Sequence, residues 1–550
     1  MDIASKYKNN FEYKELQGAF TIFLVSVLIV LAFVLWGAFF PESLGQQANS
    51  ILGFMTEKFG WFYLLATFGF LVFAIYLAFS KYGRIRLGDD DDRPEYSNIT
   101  WFGMLFSAGM GIGLVFWGVA EPVSHYTNPP QGLQGGTAEA ARTGMLYAFF
   151  HWGFQPWAIY TIIALSLAYF NFRKGYRGLI SSTFYPLLGD RINGPLGKTI
   201  DILAIVATAF GVATSLGLGT LQINGGLAHL LGIPNNTLVH IVIIVVVTVL
   251  YMISATTGLD KGIKFLSNAN IAVATSLLLF VLFLGPTSFI FDTLTTTLGG
   301  YLQNIIQMSL RLTPFTQNKW ISNWTLFYWA WWIAWAPFVG MFIARVSKGR
   351  TIKEFILGVL LVPSLFSFFW FSTFGGTALN LEVFGHKAIA AAVQEDITSA
   401  LFITLEKLPL GTILAATATL LIITFFVTSA DSATFVLGML SSKGDNNPTN
   451  RVKLTWGILQ SSIATVLLLS GGLQSLQTAS IVTALPFALI MVFMCFSIMK
   501  ALEDDYDDME REYRKRTGTR IALKPLPDGK KRAVEQKSNN KTVEIPQSRK

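Results

Sequence analysis

The chain has 550 residues, of which 52 % are hydrophobic and only 13 % are charged, and this composition excludes a string of ordinary soluble domains. Its net charge of +8 does not indicate a nucleic-acid partner, because the basic residues lie in short loops and in a C-terminal tail. The single cysteine, Cys495, falls in an apolar segment, which excludes a disulfide framework and a cysteine-based metal site. Apolar segments of about 20 residues recur along the chain, so we predict an all-α polytopic membrane protein.

Twelve apolar segments are predicted to cross the membrane as helices. They comprise residues 18–40, 59–80, 99–120, 142–170, 198–225, 236–257, 262–286, 322–346, 353–376, 409–440, 453–472 and 477–500. The polar residues 1–17 precede them and lack the pattern of a signal peptide. Lysine and arginine are concentrated before the first segment and after each even-numbered one up to the tenth, as at Lys81, Arg173 and Arg345. The positive-inside rule therefore predicts a multi-pass protein of the cell membrane with both termini in the cytoplasm.

The third span is unusual, because Gly109, Gly111 and Gly113 fall near its middle. Each glycine costs a helix about 1 kcal/mol relative to alanine. The pattern therefore predicts two half-helices joined by an unwound strip, and broken helices of this kind form substrate and ion sites in secondary transporters. Close packing of helices through small residues is the alternative explanation.

The connection from Phe291 to Leu312 has leucine and isoleucine at helical spacing with polar residues between them. This pattern predicts an amphipathic helix that lies on the outer membrane surface, or a docking surface. Its apolar positions are Leu294, Leu298, Leu302, Ile305, Ile306 and Leu310.

The eighth span has four tryptophans within seven residues at a depth near the bilayer midplane, where an interfacial aromatic belt is not expected. These are Trp329, Trp331, Trp332 and Trp335, and the fourth span places Trp152, Trp157 and Tyr160 at a similar depth. An aromatic cage suits a quaternary ammonium group, because ring faces attract a cation by about 0.5–2 kcal/mol each. Simple packing of tryptophans in a helix bundle is the alternative.

The tenth span contains the polar run from Thr428 to Ser432. Hydroxyl oxygens suit a small hard cation, and unwound carbonyl groups of the glycine strip could complete its shell. Asp431 is ionisable within a span, which is typical of a functional residue. A structural bond to a neighbouring helix would explain it equally.

The tail, residues 501–550, is acidic at first and then basic. Its first part could form a charged helix, whereas the part from Lys524 onwards is predicted to be disordered. The basic residues could bind anionic lipid of the inner leaflet.

Three motifs together resemble the betaine/carnitine/choline transporter family. They are residues 109–113 with Glu121-Pro122, the tryptophan-rich run from Phe327 to Phe338, and the run from Thr428 to Ser432. The resemblance implies a leucine-transporter-like fold of twelve transmembrane helices, with two inverted five-helix repeats after two additional N-terminal helices. The chain would then divide into six parts. These are a cytoplasmic segment (1–17), the two additional helices (18–98), the first repeat (99–290), the external helix and loop (291–321), the second repeat (322–500) and the tail (501–550).

The resemblance also implies the site residues. Trp152, Trp157, Tyr160 and Trp332 would form the cage, Trp329, Trp331 and Trp335 would line the route to it, and Gly109, Gly111 and Gly113 would meet the substrate. One sodium ion would bind the side chains of Thr428 and Ser429 with the carbonyl groups of Ser107, Met110 and Phe425. A second would use Thr208 near Phe338, but Val212 replaces the hydroxyl residue that sodium-coupled relatives have four positions after Thr208.

The function so implied is a sodium-coupled symporter that imports a zwitterionic compatible solute, with glycine betaine as the first expectation, for osmoprotection. No cofactor is expected apart from sodium as the coupling ion, and we expect a bacterial homotrimer. A proton-coupled choline carrier or a sodium-independent carnitine/betaine exchanger of the same family is the alternative, although proton-coupled choline carriers tend to have Asp where this chain has Gly113. An intramembrane enzyme is not expected, because His151 is the only deep histidine and has no carboxylate nearby in the sequence.

Overall fold

The computed structural model describes residues 3–109, 111–257, 260–385, 388–517, 520–524, 532–536 and 542–543, and most of these residues are helical. The helices are α1 Ile3–Phe39, α2 Pro41–Phe79, α3 Asn98–Gly109, α4 Ile112–Thr127, α5 Ala138–Trp152, α6 Phe154–Ala168, α7 Tyr185–Leu188, α8 Pro195–Leu231, α9 Thr237–Thr257, α10 Asp260–Leu284, α11 Thr287–Ser309, α12 Phe327–Arg345, α13 Ile352–Val383, α14 Ile389–Glu395, α15 Ala400–Glu406, α16 Gly411–Ser441 and α17 Asn450–Thr517. The strands are β1 Arg520–Lys524, β2 Arg532–Gln536 and β3 Thr542–Val543.

Ten helical stretches in the described part of the chain are long and apolar enough to cross a membrane. Their outer faces expose large apolar side chains, such as Leu28 on α1, Val72 on α2 and Val245 on α9, about half of whose surface is accessible. Such faces would be unfavourable in water and are suited to lipid. The prediction of an α-helical polytopic membrane protein is therefore confirmed.

The difference between ten stretches and the twelve predicted spans lies in two places. The predicted span 99–120 is divided between α3 and α4, each of which is too short to be counted as a spanning helix. The predicted spans 453–472 and 477–500 both belong to α17, in which Gly471 and Gly472 are not helical and Gly472 has a φ of +61°. Glycine adopts this left-handed conformation without a steric penalty, which allows a sharp kink at that point.

The predicted break in the third span is confirmed. Helix α3 ends at Gly109, α4 begins at Ile112, and Gly111 between them is fully extended, with φ −167° and ψ −175°. The Trp370 indole on α13 donates to the Leu114 carbonyl oxygen at 3.1 Å, next to this break. Nearly all residues of α4 are buried, so the half-helix lies inside the bundle.

The fourth span is also broken, which the sequence did not predict. Helix α5 ends at Trp152 and α6 begins at Phe154, with Gly153 between them at φ −95° and ψ −140°. The Tyr301 hydroxyl on α11 accepts from the Phe154 backbone N–H at 2.9 Å and donates to the Gln155 side chain at 2.7 Å. The tyrosine therefore binds the polar groups that the break exposes.

Helix α11 covers most of the predicted amphipathic segment, and three of the six predicted apolar positions pack against the core. Its buried residues include Ile290, Tyr301 and Met308, whereas Leu302 and Ile306 are exposed. The helix is thus attached by the tyrosine at the α5–α6 break as well as by apolar contacts.

The loop between predicted spans two and three is also attached to the α12–α13 connection. Residues Arg86 and Thr351 form an antiparallel bridge, and the Arg350 guanidinium lies 3.8 Å above the Trp101 ring at the start of α3. Arg350 donates to the Asn98 side chain at 2.8 Å, and burial lowers the pKa of its guanidinium. These bonds hold the first half-helix to the end of α12.

The chain after the last predicted span continues as a helix. Helix α17 runs to Thr517, and Asp505 on it forms ion pairs with Arg173 at 2.5 Å and Lys174 at 2.7 Å, beyond the end of α6. The region predicted to be disordered from Lys524 onwards contains β2 and β3, which form an antiparallel sheet with β1. These two strands therefore differ from the expectation of disorder, because each is paired with its neighbour through the backbone.

The segment between the first two predicted spans also differs from expectation. Residues 41–58 lie outside the predicted spans, but α2 begins at Pro41 and includes them. Proline is favourable at this first position because its missing N–H would have no helical partner.

Candidate functional site

A cavity of about 870 Å³ lies between the broken helices α3–α4 and α5–α6 and the helices α8, α10, α12 and α16. Its walls contain most of the residues that the sequence predicted for substrate and sodium: Ser107, Gly111, Gly113, Trp152, Tyr160, Trp331, Trp332, Trp335, Phe338, Phe425, Thr428 and Ser429. The volume is ample for a small zwitterion and is within the usual range of ligand pockets.

Four aromatic side chains form a connected cluster at this cavity. The Trp332 ring centroid lies 5.4 Å from that of Trp152, 5.9 Å from that of Trp157 and 4.9 Å from that of Tyr160. The rings are steeply inclined to one another, with interplanar angles of 78°, 62° and 54°, so they present both faces and edges. Trp152, Tyr160 and Trp332 line the cavity, and Trp157 supports them from behind.

Two indole N–H groups in this cluster have no hydrogen-bond partner among the described residues, those of Trp157 and Trp332. Both side chains are at least 94 % buried, since they are 1 % and 6 % exposed. A buried donor without a partner is unfavourable, and such groups are commonly satisfied by a ligand or by water. The cluster therefore has donors available as well as ring faces.

Three of the four tryptophans of α12 line the cavity, and the fourth points away from it. Trp331 donates to the Ser215 hydroxyl at 3.2 Å and Trp335 donates to the Gly211 carbonyl oxygen at 2.7 Å, and both line the cavity. Trp329 does not reach the cavity, because it packs against Phe150 at 5.1 Å between ring centroids. An α-helix turns by about 100° per residue, which places Trp331, Trp332 and Trp335 within an arc of about 100° around α12. Trp329 lies outside this arc.

The glycine strip lies along the same cavity. A side chain at Gly111 would meet no atom within 4 Å, whereas one at Gly113 would meet the Trp331 ring at 2.4 Å. Glycine at position 113 is thus needed for close packing, while Gly111 borders open space. Gly109 is the last residue of α3, and Met110 lies outside the described residues.

The predicted sodium residues of α16 lie on the cavity wall beside an asparagine that the sequence analysis missed. The Thr428 hydroxyl bonds to the Thr424 carbonyl oxygen at 3.0 Å and accepts from the Asn270 amide at 3.2 Å. Ser267 and Asn268 on α10 line the same cavity. These polar residues interrupt the apolar pattern of the seventh span, and that interruption could have identified them.

Of the two residues of the predicted second sodium position, Phe338 lines the cavity and Thr208 does not. Thr208 is fully buried on α8 and donates to the Ala204 carbonyl oxygen of its own helix at 2.7 Å. Of the two hydroxyls near Val212, that of Thr214 bonds to Ser480 at 2.8 Å, and that of Ser215 accepts from Trp331.

A buried polar cluster lies behind the aromatic residues, around Glu121 on α4. One carboxylate oxygen is 2.6 Å from His151 Nδ1 and 3.2 Å from His125 Nε2. The other accepts from the Trp152 indole N–H at 2.9 Å and from the Tyr328 hydroxyl. The sequence does not reveal a carboxylate near His151, because Glu121 precedes it by 30 residues.

One end of the cavity is lined by charged and amide side chains instead of aromatic rings. These are Arg345 and Lys453, with Asn446 and Asn447. Asp431 lines the cavity between this end and Thr428. The cavity therefore leads from the aromatic cluster to a polar mouth, near the residues that the positive-inside rule assigns to the cytoplasm.

Comparisons with known proteins agree with this architecture. The betaine/carnitine/choline family transporter (BCCT) profile matches residues 21–507. The chain is 52 % identical to the glycine betaine transporter OpuD of Bacillus subtilis (strain 168) over 89 % of the chain and 96 % of that protein. It is 49 % identical to the ectoine/hydroxyectoine transporter of Virgibacillus pantothenticus over 89 % and 98 %. It is 40 % identical to the osmo-dependent choline transporter BetT2 of Acinetobacter baylyi (strain ATCC 33305 / BD413 / ADP1) over 88 % and 71 %.

The match extends over all the transmembrane helices that form the cavity and over the broken helix and tryptophan-rich helix at its centre. The protein is therefore a multi-pass membrane transporter, not an enzyme, and belongs to the betaine/carnitine/choline transporter family.

Proposed function

We propose that this transporter imports glycine betaine, or a closely related zwitterionic compatible solute, together with sodium. The observation that supports this proposal most directly is the cluster of Trp152, Trp157, Tyr160 and Trp332 at the cavity wall. A trimethylammonium group cannot donate a conventional hydrogen bond, so ring faces are the natural surface for it. A relative that is 52 % identical bears the name of a glycine betaine transporter, which agrees with this choice.

The carboxylate of the substrate would lie toward the glycine strip. Helix α4 begins at Ile112 beside Gly111, and no side chain caps that end, so backbone N–H groups remain available there. The N-terminus of a helix favours a negative charge through its dipole and these N–H groups. The open space beside Gly111 gives a carboxylate room to approach.

Sodium would bind where Thr428 and Ser429 face the end of α3. Ser107 and Phe425 line the same part of the cavity, which fits the predicted ligand set apart from Met110, which is not described. The Thr428 hydroxyl accepts a hydrogen bond from Asn270, and its second lone pair would be available to the ion. Because the Thr208 hydroxyl does not line the cavity and is bonded to its own helix, we propose this one sodium position as the principal one.

We further propose twelve membrane crossings in two inverted five-helix repeats. Counting the broken α3–α4 pair as one span and dividing α17 at Gly471–Gly472 converts ten stretches into twelve. The cytoplasmic location of both termini and the assembly into trimers stay predictions.

A carrier for choline with proton coupling, or a sodium-independent exchanger, is the alternative within the family. Gly113 favours a zwitterion over choline, because proton-coupled choline carriers of the family tend to have Asp here, whose carboxylate suits a substrate without a negative charge of its own. A substrate that has its own carboxylate needs no such residue. The ectoine/hydroxyectoine transporter that is 49 % identical makes ectoine the second substrate to test.

The decisive experiment is uptake into proteoliposomes that contain the purified full-length protein. Labelled glycine betaine, ectoine, choline and carnitine are each supplied under an imposed sodium gradient, an imposed proton gradient, or neither. We expect betaine uptake that requires inward sodium and is not driven by protons. Betaine uptake without sodium, uptake driven by protons, or uptake of choline in preference to betaine would contradict the proposal.

A further inference from the structure

The carboxylate of Glu121 joins three elements of the aromatic site. Glu121 belongs to α4, whose first residues border the cavity, and it accepts a hydrogen bond from Trp152 at the end of α5 and another from Tyr328 on α12. Its side chain is completely buried. The Trp152 bond, at 2.9 Å, connects the carboxylate directly to a ring of the substrate cluster.

The group formed by Glu121, His125 and His151 is also close enough to suggest a metal site, but its distances fit hydrogen bonds better. Two nitrogen or oxygen ligands on one tetrahedral zinc ion lie about 3.3 Å apart, given bonds of about 2.0–2.1 Å. The Glu121 oxygen and His151 Nδ1 are only 2.6 Å apart. In addition, the second carboxylate oxygen is occupied by Trp152 and Tyr328.

The hydrogen bonds favour an ionised carboxylate. Trp152 can only donate, and Tyr328 donates to the same oxygen, so that oxygen has two donors. The other oxygen lies within hydrogen-bond distance of one imidazole nitrogen of His125 and one of His151. A carboxylate has about four lone-pair positions, and N–H donation by both imidazoles would fill all of them.

The His125 ring favours the neutral form in this arrangement. Its Nδ1 has no hydrogen-bond partner among the described residues and is buried. A proton there would bury a positive N–H without an acceptor, which is unfavourable. The carboxylate charge is therefore not cancelled by this histidine.

We propose that Glu121 is a positioning residue that fixes Trp152 and makes the aromatic site selective for cations. The carboxylate orients the indole through its N–H and draws the N–H bond toward itself, which enriches the ring in electrons and strengthens its attraction for a quaternary ammonium group. The role is additional to the ring contacts of the substrate and rests on the proposed function. This role would explain why a completely buried charge, which is costly to maintain, is present here.

The test compares two ligands that differ in one atom. Glycine betaine and 3,3-dimethylbutanoate have the same shape and carboxylate, but the first has a positive nitrogen where the second has carbon. Binding of each is measured by calorimetry on the purified full-length protein in lipid nanodiscs, for the wild type, Glu121→Gln and the control Glu139→Gln. Glu139 is exposed on α5 and lies 3.9 Å from Arg142, so its replacement changes charge without touching the cluster.

Glutamine has nearly the shape of glutamate and can keep its carbonyl oxygen toward Trp152, so Glu121→Gln removes the charge more than the geometry. We expect this variant to bind betaine about tenfold more weakly while its affinity for 3,3-dimethylbutanoate changes by less than about threefold. Glu139→Gln should leave both affinities unchanged. An equal loss for both ligands would overturn the proposal, because it would mean that Glu121 only supports the fold.

A second measurement keeps the inference separate from the identity of the substrate and from folding of the variant. The ultraviolet resonance Raman band that reports indole N–H hydrogen bonding is recorded for the wild type and for Trp152→Phe, and their difference isolates Trp152. We expect the Trp152 band at the frequency that is typical of a strong hydrogen bond from the indole N–H to an anionic acceptor. A position typical of a weak or absent bond would overturn the inference, even if betaine uptake is confirmed. If the wild type does not bind betaine, the proposed function fails and this band alone decides about Glu121.

Discussion

Replacement of Trp332 by leucine should weaken binding of glycine betaine strongly. Trp332 is the central ring of the cluster, with centroids of three other aromatic rings within 6 Å. One ring face contributes about 0.5–2 kcal/mol to binding of a quaternary ammonium group, and the loss would also loosen the three neighbours. A total of about 1.4–3 kcal/mol corresponds to a rise of about 10- to 150-fold in Kd. The Kd for glycine betaine is measured by calorimetry on the purified protein in nanodiscs.

Two control variants separate binding from packing. Trp329→Leu removes a ring of the same size from the same helix at a position that is 1 % exposed but does not line the cavity. It should lower the melting temperature about as much as Trp332→Leu while changing Kd far less. Trp36→Leu, at a position 37 % exposed on α1, controls for expression and membrane insertion. If Trp329→Leu and Trp332→Leu raise Kd equally, the rings serve packing only and the reasoning is refuted.

Three further predictions concern the ion, the strip and the tail. Replacing Thr428 and Ser429 together by alanine should raise the sodium concentration for half-maximal uptake by tenfold or more, and an unchanged sodium requirement in a well-folded double variant would exclude this site. Gly113→Asp should reduce betaine uptake at least tenfold, because the new side chain meets the Trp331 ring and its charge repels the substrate carboxylate; wild-type uptake would show that Gly113 is remote from the substrate. Truncation after Ala501 removes the ion pairs between α17 and the end of α6. If the tail senses salt, osmotic activation of uptake should be lost, whereas a truncated protein that responds as the full-length chain does would show that the tail is not the sensor.

The sequence predicted the features that depend on neighbouring residues alone. The apolar spans follow from composition over about 20 residues, and the break before Ile112 follows from three glycines at alternate positions, each of which weakens the helix locally. The concentration of tryptophans near the midplane was likewise visible, because depth follows from the distance along a helix. The number of continuous helices did not follow from composition, because the kink at Gly472 interrupts α17 without ending it.

The tertiary structure alone decided which side chains meet. Besides His125, four residues on, Glu121 has partners 30, 31 and 207 residues away along the chain, and no local pattern connects a glutamate to residues at those larger separations. The same holds for Asn270, which reaches Thr428 from another helix, and for Trp329, whose direction depends on how α12 is rotated against its neighbours. Periodicity fixes the angle between residues on one helix, but the rotation of that helix about its axis is set by packing against all the others, and that rotation selects Trp332 for the cavity and Trp329 for the interior.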